Sequence, residues 1–121
     1  MPNIKVPFLV FTALLFMTGA ALAHAHLRRS APAAGTMVHG SPSEVKLWFT
    51  EAVEPSYSTI KITGADGKQV DNGDTSVDPG DAKILRVSLP SLSPGTYTVI
   101  WQVTSVDTHK TEGKFTFKVV P

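Results

Sequence analysis

Alternation at a period of two runs through this 121-residue chain from Val45 to Val120 and restricts it to half-buried β-strands. Val45, Leu47 and Phe49 share one face, and Ile60 and Ile62 share another within Ser58 to Thr63. Leu85, Val87 and Leu89 line up in Lys83 to Leu89, and Tyr97, Val99, Trp101 and Val103 in Thr96 to Val103. Phe115, Phe117 and Val119 do so in Gly113 to Val120. Successive strand residues point to opposite sides, so each run buries one face and wets the other. Helical spacing is absent after residue 23. Turn signals stand between the runs: Ala31 to Gly35, Gly40-Ser41-Pro42, Gly64 to Gly67, and Ser93-Pro94-Gly95. Gly64 to Gly67 is expected to close a hairpin, and Asp71 to Asp81 reads as a longer polar loop. Short strands with such punctuation build an all-β sandwich or a small barrel.

The aromatic residues fall mainly on the strand runs and are expected in the core, where their rings bury the most area. Trp48 is out of phase with Val45, Leu47 and Phe49. It is expected to cover a sheet edge or to lie near a functional site.

The first 23 residues read differently. Lys5 supplies a positive start, Val6 to Met17 is almost wholly apolar, and Ala21-Leu22-Ala23 fits a small-x-small cleavage pattern. The apolar run is shorter than the ~20 residues that span a bilayer. Residues 1–23 are therefore read as a signal peptide and residues 24–121 as one domain of 121 − 23 = 98 residues. A cut after Ala25 also fits the pattern, and both cuts expose a histidine, His24 or His26.

An exported domain could carry disulfides, yet the chain has no cysteine. Thiolate metal sites are excluded with it. Removing Lys5 leaves ten Lys and Arg against ten Asp and Glu, and no basic stripe points to nucleic acid.

The donors that remain lie at opposite ends of the domain. Within the precursor, the nitrogen of His24 is an amide and a poor ligand. Cleavage turns it into an amine of ordinary pKa ~8 that a divalent cation can compete for. The amine and the His24 imidazole Nδ1 close a six-membered chelate. Asp107-Thr108-His109 is the second half. If extended, it points a carboxylate and an imidazole the same way. Such nitrogen and oxygen donors suit Cu(II) or Ni(II), with Cu(II) favoured on affinity. Taken alone, the same triplet also describes a polar turn in which Asp107 caps local amides, and His24 alone describes a frayed terminus. His26 reads as a neighbouring hydrogen-bond partner, an alternative ligand or an exposed strand residue. His39 reads as a surface residue. Glu51, at a strand end, reads as an exposed acid that could orient a ligand or a bound water. Met37 is the one methionine after residue 23, too few for a soft Cu(I) site.

In combination these segments resemble the CopC-type periplasmic copper-resistance proteins. The resemblance rests on His24-Ala25-His26-Leu27, Ser30 to Gly35, Leu47-Trp48-Phe49-Thr50-Glu51, Pro94 to Val99, Trp101 to His109 and Gly113 to Phe117. It implies a seven-stranded Greek-key β-sandwich of immunoglobulin-like or cupredoxin-like form. It implies Cu(II) held in a histidine brace by the His24 amine and Nδ1, His109 and Asp107, with Glu51 as the acid beside them. The implied role is non-enzymatic: periplasmic copper binding, by a monomer, with delivery to a CopD-type inner-membrane protein. A methionine-rich Cu(I) loop found in some members has no counterpart here. Two other readings fit parts of the pattern. One is a metal-free immunoglobulin-like surface module. The other is a histidine-brace copper oxygenase, which needs an open coordination position and a broad substrate face.

Overall fold

The computed structural model describes residues 24–121. The signal-peptide reading of residues 1–23 lies outside the described residues.

Eight strands form among the described residues: β1 (Leu27–Ala31), β2 (Met37–His39), β3 (Glu44–Phe49), β4 (Thr59–Thr63), β5 (Ser76–Asp78), β6 (Asp81–Ser88), β7 (Gly95–Thr104) and β8 (Lys110–Val120). They make two four-stranded sheets, ordered β1-β3-β6-β5 and β2-β8-β7-β4. The chain crosses from β3 to β4, returns for β5 and β6, and crosses again for β7 and β8. The result is a sandwich, not a barrel, with the crossovers of an immunoglobulin-like Greek key.

The inward faces are those read from the alternation. Val45, Leu47, Phe49, Ile62, Leu85, Val87, Val99, Val103 and Phe117 are buried between the sheets. Cross-strand registers Ile62 to Val99 and Val99 to Phe115 stack these side chains into layers. Trp101 meets the Phe49 ring edge-on, with centroids 5.2 Å apart at 70°, an arrangement in which the positive ring edge meets the negative face. Phe115 is half-buried against this core.

Trp48 answers the phase question. It lies half-buried on the outer face of its sheet, with the Arg29 guanidinium 4.2 Å over its ring and Lys46 Nζ at 5.6 Å. The two cations sit on the ring's negative face.

Gly64 to Gly67 does close a turn. The Gly67 amide donates to the Gly64 carbonyl (3.0 Å), and Val70 returns to donate to Ile62 (2.8 Å). Gly67 sits at φ 82°, where a side chain would be strained. The polar loop is corrected: Asp71 to Asp81 contains β5, which pairs with β6. Strands β1, β2 and β5 bring the number to eight, one more than the resemblance implied.

Candidate metal centre

Residues 24–26 are held down by the ends of both sheets. The Thr50 amide, one residue past β3, donates to the His26 carbonyl (2.9 Å), extending the β1–β3 ladder. The Thr50 hydroxyl accepts from the His26 amide (2.9 Å) and donates to the His24 carbonyl (3.3 Å). From the other sheet, the Thr111 hydroxyl on β8 donates to the Ala25 carbonyl (2.7 Å). The Ala25 methyl is fully buried in the core. A segment is ordered when its backbone groups and apolar atoms are engaged in this way.

This anchoring carries the His24 ring to the far end of the chain. Its centroid lies 4.4 Å from that of His109, with the planes 34° apart. The His26 ring lies 6.2 Å from His24. The two ends of the domain therefore meet, as the donor pattern required.

Asp107, Thr108 and His109 are not extended. They occupy the turn between β7 and β8, and Thr108 adopts φ 76°. Thr108 donates its amide to the Ser105 carbonyl (2.8 Å), and Ser105 donates to the His109 carbonyl (2.9 Å). The carboxylate of Asp107 meets His109 because the turn folds back on itself. One oxygen, Oδ1, accepts from the Ser105 hydroxyl and from the His109 amide (3.3 Å). The other, Oδ2, lies 3.2 Å from His109 Nδ1. So the capping reading of this triplet is realised, and the same loop sets the carboxylate against the imidazole. A carboxylate on Nδ1 favours the proton there and leaves Nε2 as the free donor nitrogen.

The Ser105 hydroxyl is the main cause that holds the Asp107 carboxyl below its ordinary value of 3.8; partial burial opposes it, and the His109 amide and imidazole reinforce it. Asp107 is therefore anionic through the neutral range. Ser105, fully buried, was not singled out from the sequence; a serine two residues before an acid is too common to carry a signal.

Glu51 follows the anchoring Thr50 and is half-buried. Among the described residues its carboxylate has no hydrogen-bond or ion-pair partner. His39 lies away from this centre, at the exposed end of β2, with Nδ1 3.3 Å from the Pro121 carbonyl. Among the described residues, no three His, Asp or Glu side chains converge as a ready metal cluster. Asp107 Oδ2 is engaged with His109, and in the 121-residue chain the nitrogen of residue 24 is a peptide amide. On the other flank of the loop, a cleft of about 560 Å³ is lined by Tyr57, Val106, Thr108 and Lys110 but by none of the histidines.

Residues 27–120 match the model of the CopC domain. The chain belongs to the CopC family. It is 44% identical over 104 residues to protein YobA of Escherichia coli K12, covering 85% of this chain and 84% of that protein. It is 31% identical over 116 residues to copper resistance protein C of Pseudomonas syringae pv. tomato, covering 91% of each. The crystal structure of CopC from Methylosinus trichosporium OB3b superposes with a TM-score of 0.77 at 38% identity, covering 81% of this chain and 95% of that one. The CopC match starts three residues after His24, so the N-terminal half of the centre is read from this chain's own contacts.

Proposed function

We propose that this CopC-family protein is a periplasmic Cu(II)-binding protein of copper resistance and homeostasis. Copper is its cargo. The ligands are the His24 amine and Nδ1, His109 and Asp107, with Glu51 as a nearby acid. The kinship with copper resistance protein C supports the copper reading. The observation that carries the site is the 4.4 Å approach of the His24 and His109 rings, 85 residues apart in sequence. Nothing in folding a β-sandwich needs those two rings together.

The donor set fits the ion. Two imidazoles, an amine and a carboxylate are the ligands that favour tetragonal Cu(II), and no thiolate competes. All the anchoring bonds use carbonyls of residues 24 to 26 or the His26 amide. None uses the His24 nitrogen. Cleavage after Ala23 therefore frees that nitrogen without breaking an anchor, whereas a cut after Ala25 would discard two of the anchored carbonyls. We read His24 as the mature N-terminus, and N-terminal mass spectrometry of the exported protein is expected to find it there. The carrier reading, with release to an inner-membrane acceptor of the CopD type, is part of this proposal; the exposure of the His109 side chain (55%) is compatible with handing an ion over at the surface.

Cu(II) titration of the protein starting at His24, against one carrying a single extra N-terminal residue, tests the brace. The extension converts the amine to an amide and is expected to weaken binding on the order of 100-fold. Equal affinity in the two proteins would sink the reading. His109→Ala is expected to weaken binding more than Asp107→Ala, because Asp107 also acts through His109.

A further inference from the structure

We infer that Thr50 and Thr111 are positioning residues that form a clamp across the open end of the sandwich and pre-set the copper-binding N-terminus in the metal-free protein. The inference rests on the brace reading and adds residues that no ligand set contains.

The argument starts from what an N-terminal ligand must overcome. Chain ends fray, and a frayed His24 would have to be ordered each time an ion binds. A chelate whose donors are already held loses less entropy on binding. Here three consecutive residues are tied down by two hydroxyls from different sheets. Thr50 closes a two-way bridge, accepting from the His26 amide and donating to the His24 carbonyl. Thr111 reaches the Ala25 carbonyl from the opposite sheet, across 86 residues of sequence, at 2.7 Å. Between them the buried Ala25 methyl prevents the segment from rotating outward. Of His24 the carbonyl alone is anchored; its nitrogen and its side chain, the two proposed donors, stay available, and the ring lies beside that of His109.

The position of the clamp on the strands also matters. Thr111 is the second residue of β8, two residues after His109. Its cross-strand partner is Val103, which is fully buried. A hydroxyl from β8 therefore ties the N-terminal half of the site to the strand that the His109 loop feeds. Displacement of one half moves the other. Both threonines are half-buried, where water replaces a lost protein hydrogen bond only in part.

Valine is the near-isosteric replacement that removes the hydroxyl, and serine keeps it. Thr111→Val and Thr50→Val, each in the protein starting at His24, are expected to lower Cu(II) affinity about 5- to 10-fold, the fold-change that one net hydrogen bond represents. Thr111→Ser and Thr50→Ser are expected to restore most of it. A second measurement needs no metal: hydrogen exchange at the His26 and Thr50 amides, which bond across the segment, should speed up in the valine variants, while β7 and β8 core amides stay protected. A merely structural threonine would instead lower protection throughout. If a valine variant fails to fold, the serine variant and Thr111→Ala supply the same comparison. Copper affinity equal to the parent's in the valine variants overturns the clamp, and so does unchanged exchange at His26 and Thr50 in Thr111→Val. The single-residue extension separates the two failures. If the extended protein binds Cu(II) as tightly as the protein starting at His24, the brace is wrong. If it weakens binding as expected while the valine variants bind like the parent, only the clamp is wrong.

Discussion

A Cβ built on Gly113 would lie 2.7 Å from Trp101 Cζ2 and 2.9 Å from Cε2. Gly113 is the cross-strand partner of Trp101, and the indole lies flat over the space a side chain would need. Gly113→Ala must push a buried ring out of its contact with Phe49. Overpacking of this kind costs about 1–3 kcal/mol, so the variant is expected to unfold at lower urea concentration. Reversal by Trp101→Leu in the same chain would attribute the loss to the clash. The sequence made Gly113 look like the start of a strand, but an absent side chain cannot announce which ring occupies its place. Thr108 is a second case. A β-branched residue at φ 76° is unfavourable locally, so local preference alone argued for an extended Asp107-Thr108-His109. The hydrogen bonds among Ser105, Thr108 and His109 overrule it.

At the scale of elements, the five strands with clear alternation were legible and the other three were not. Strands β1, β2 and β5 all lie at sheet edges. An edge strand borrows its ladder from one neighbour and need not present an apolar face, so Leu-Arg-Arg-Ser-Ala and two three-residue segments carry little periodic signal. The loop before β5 is held by Asp74, whose carboxylate accepts from the Ser88 amide (2.8 Å) and hydroxyl (2.5 Å). The Ser88 hydroxyl is the largest cause that lowers the Asp74 carboxyl below 3.8. A depressed folded-state value means that the anion contributes stability above the unfolded carboxylate range, and that this contribution is lost as pH falls through the folded value. Asp74→Asn is therefore expected to be less stable than the parent near pH 6, with the gap closing as the pH drops below about 3.8. Chemical unfolding of both proteins at several pH values checks it; a gap that widened on acidification would refute the assignment.

At the scale of the whole molecule, the N-terminal segment joins the two sheets. A protein beginning at His26 loses the Thr50–His24 and Thr111–Ala25 hydrogen bonds and the buried Ala25 methyl. Two net hydrogen bonds and one buried methyl sum to about 2–3 kcal/mol. Denaturant unfolding of that shorter chain should show a loss of this size with an unchanged slope, since the rest of the core stays intact. A midpoint equal to that of the protein beginning at His24 would show that the segment does not brace the sandwich.

The primary structure by itself determined the class of fold and the chemistry available to it. Period-two alternation permits only strands, the absence of cysteine removes thiolate sites, and His24, Asp107 and His109 are hard or borderline donors wherever they lie. Tertiary structure decided that the His24 ring lies beside that of His109, with the Asp107 carboxylate against His109 Nδ1. The contacts from Thr50 to His24, from Thr111 to Ala25 and from His24 to His109 span 26, 86 and 85 positions. Side-chain periodicity reports only on neighbours within a few residues, so nothing local could state which strand ends close on one another. That was settled by the stacking of two sheets, which brings the start of β1, the end of β3 and the β7–β8 turn to one end of the sandwich.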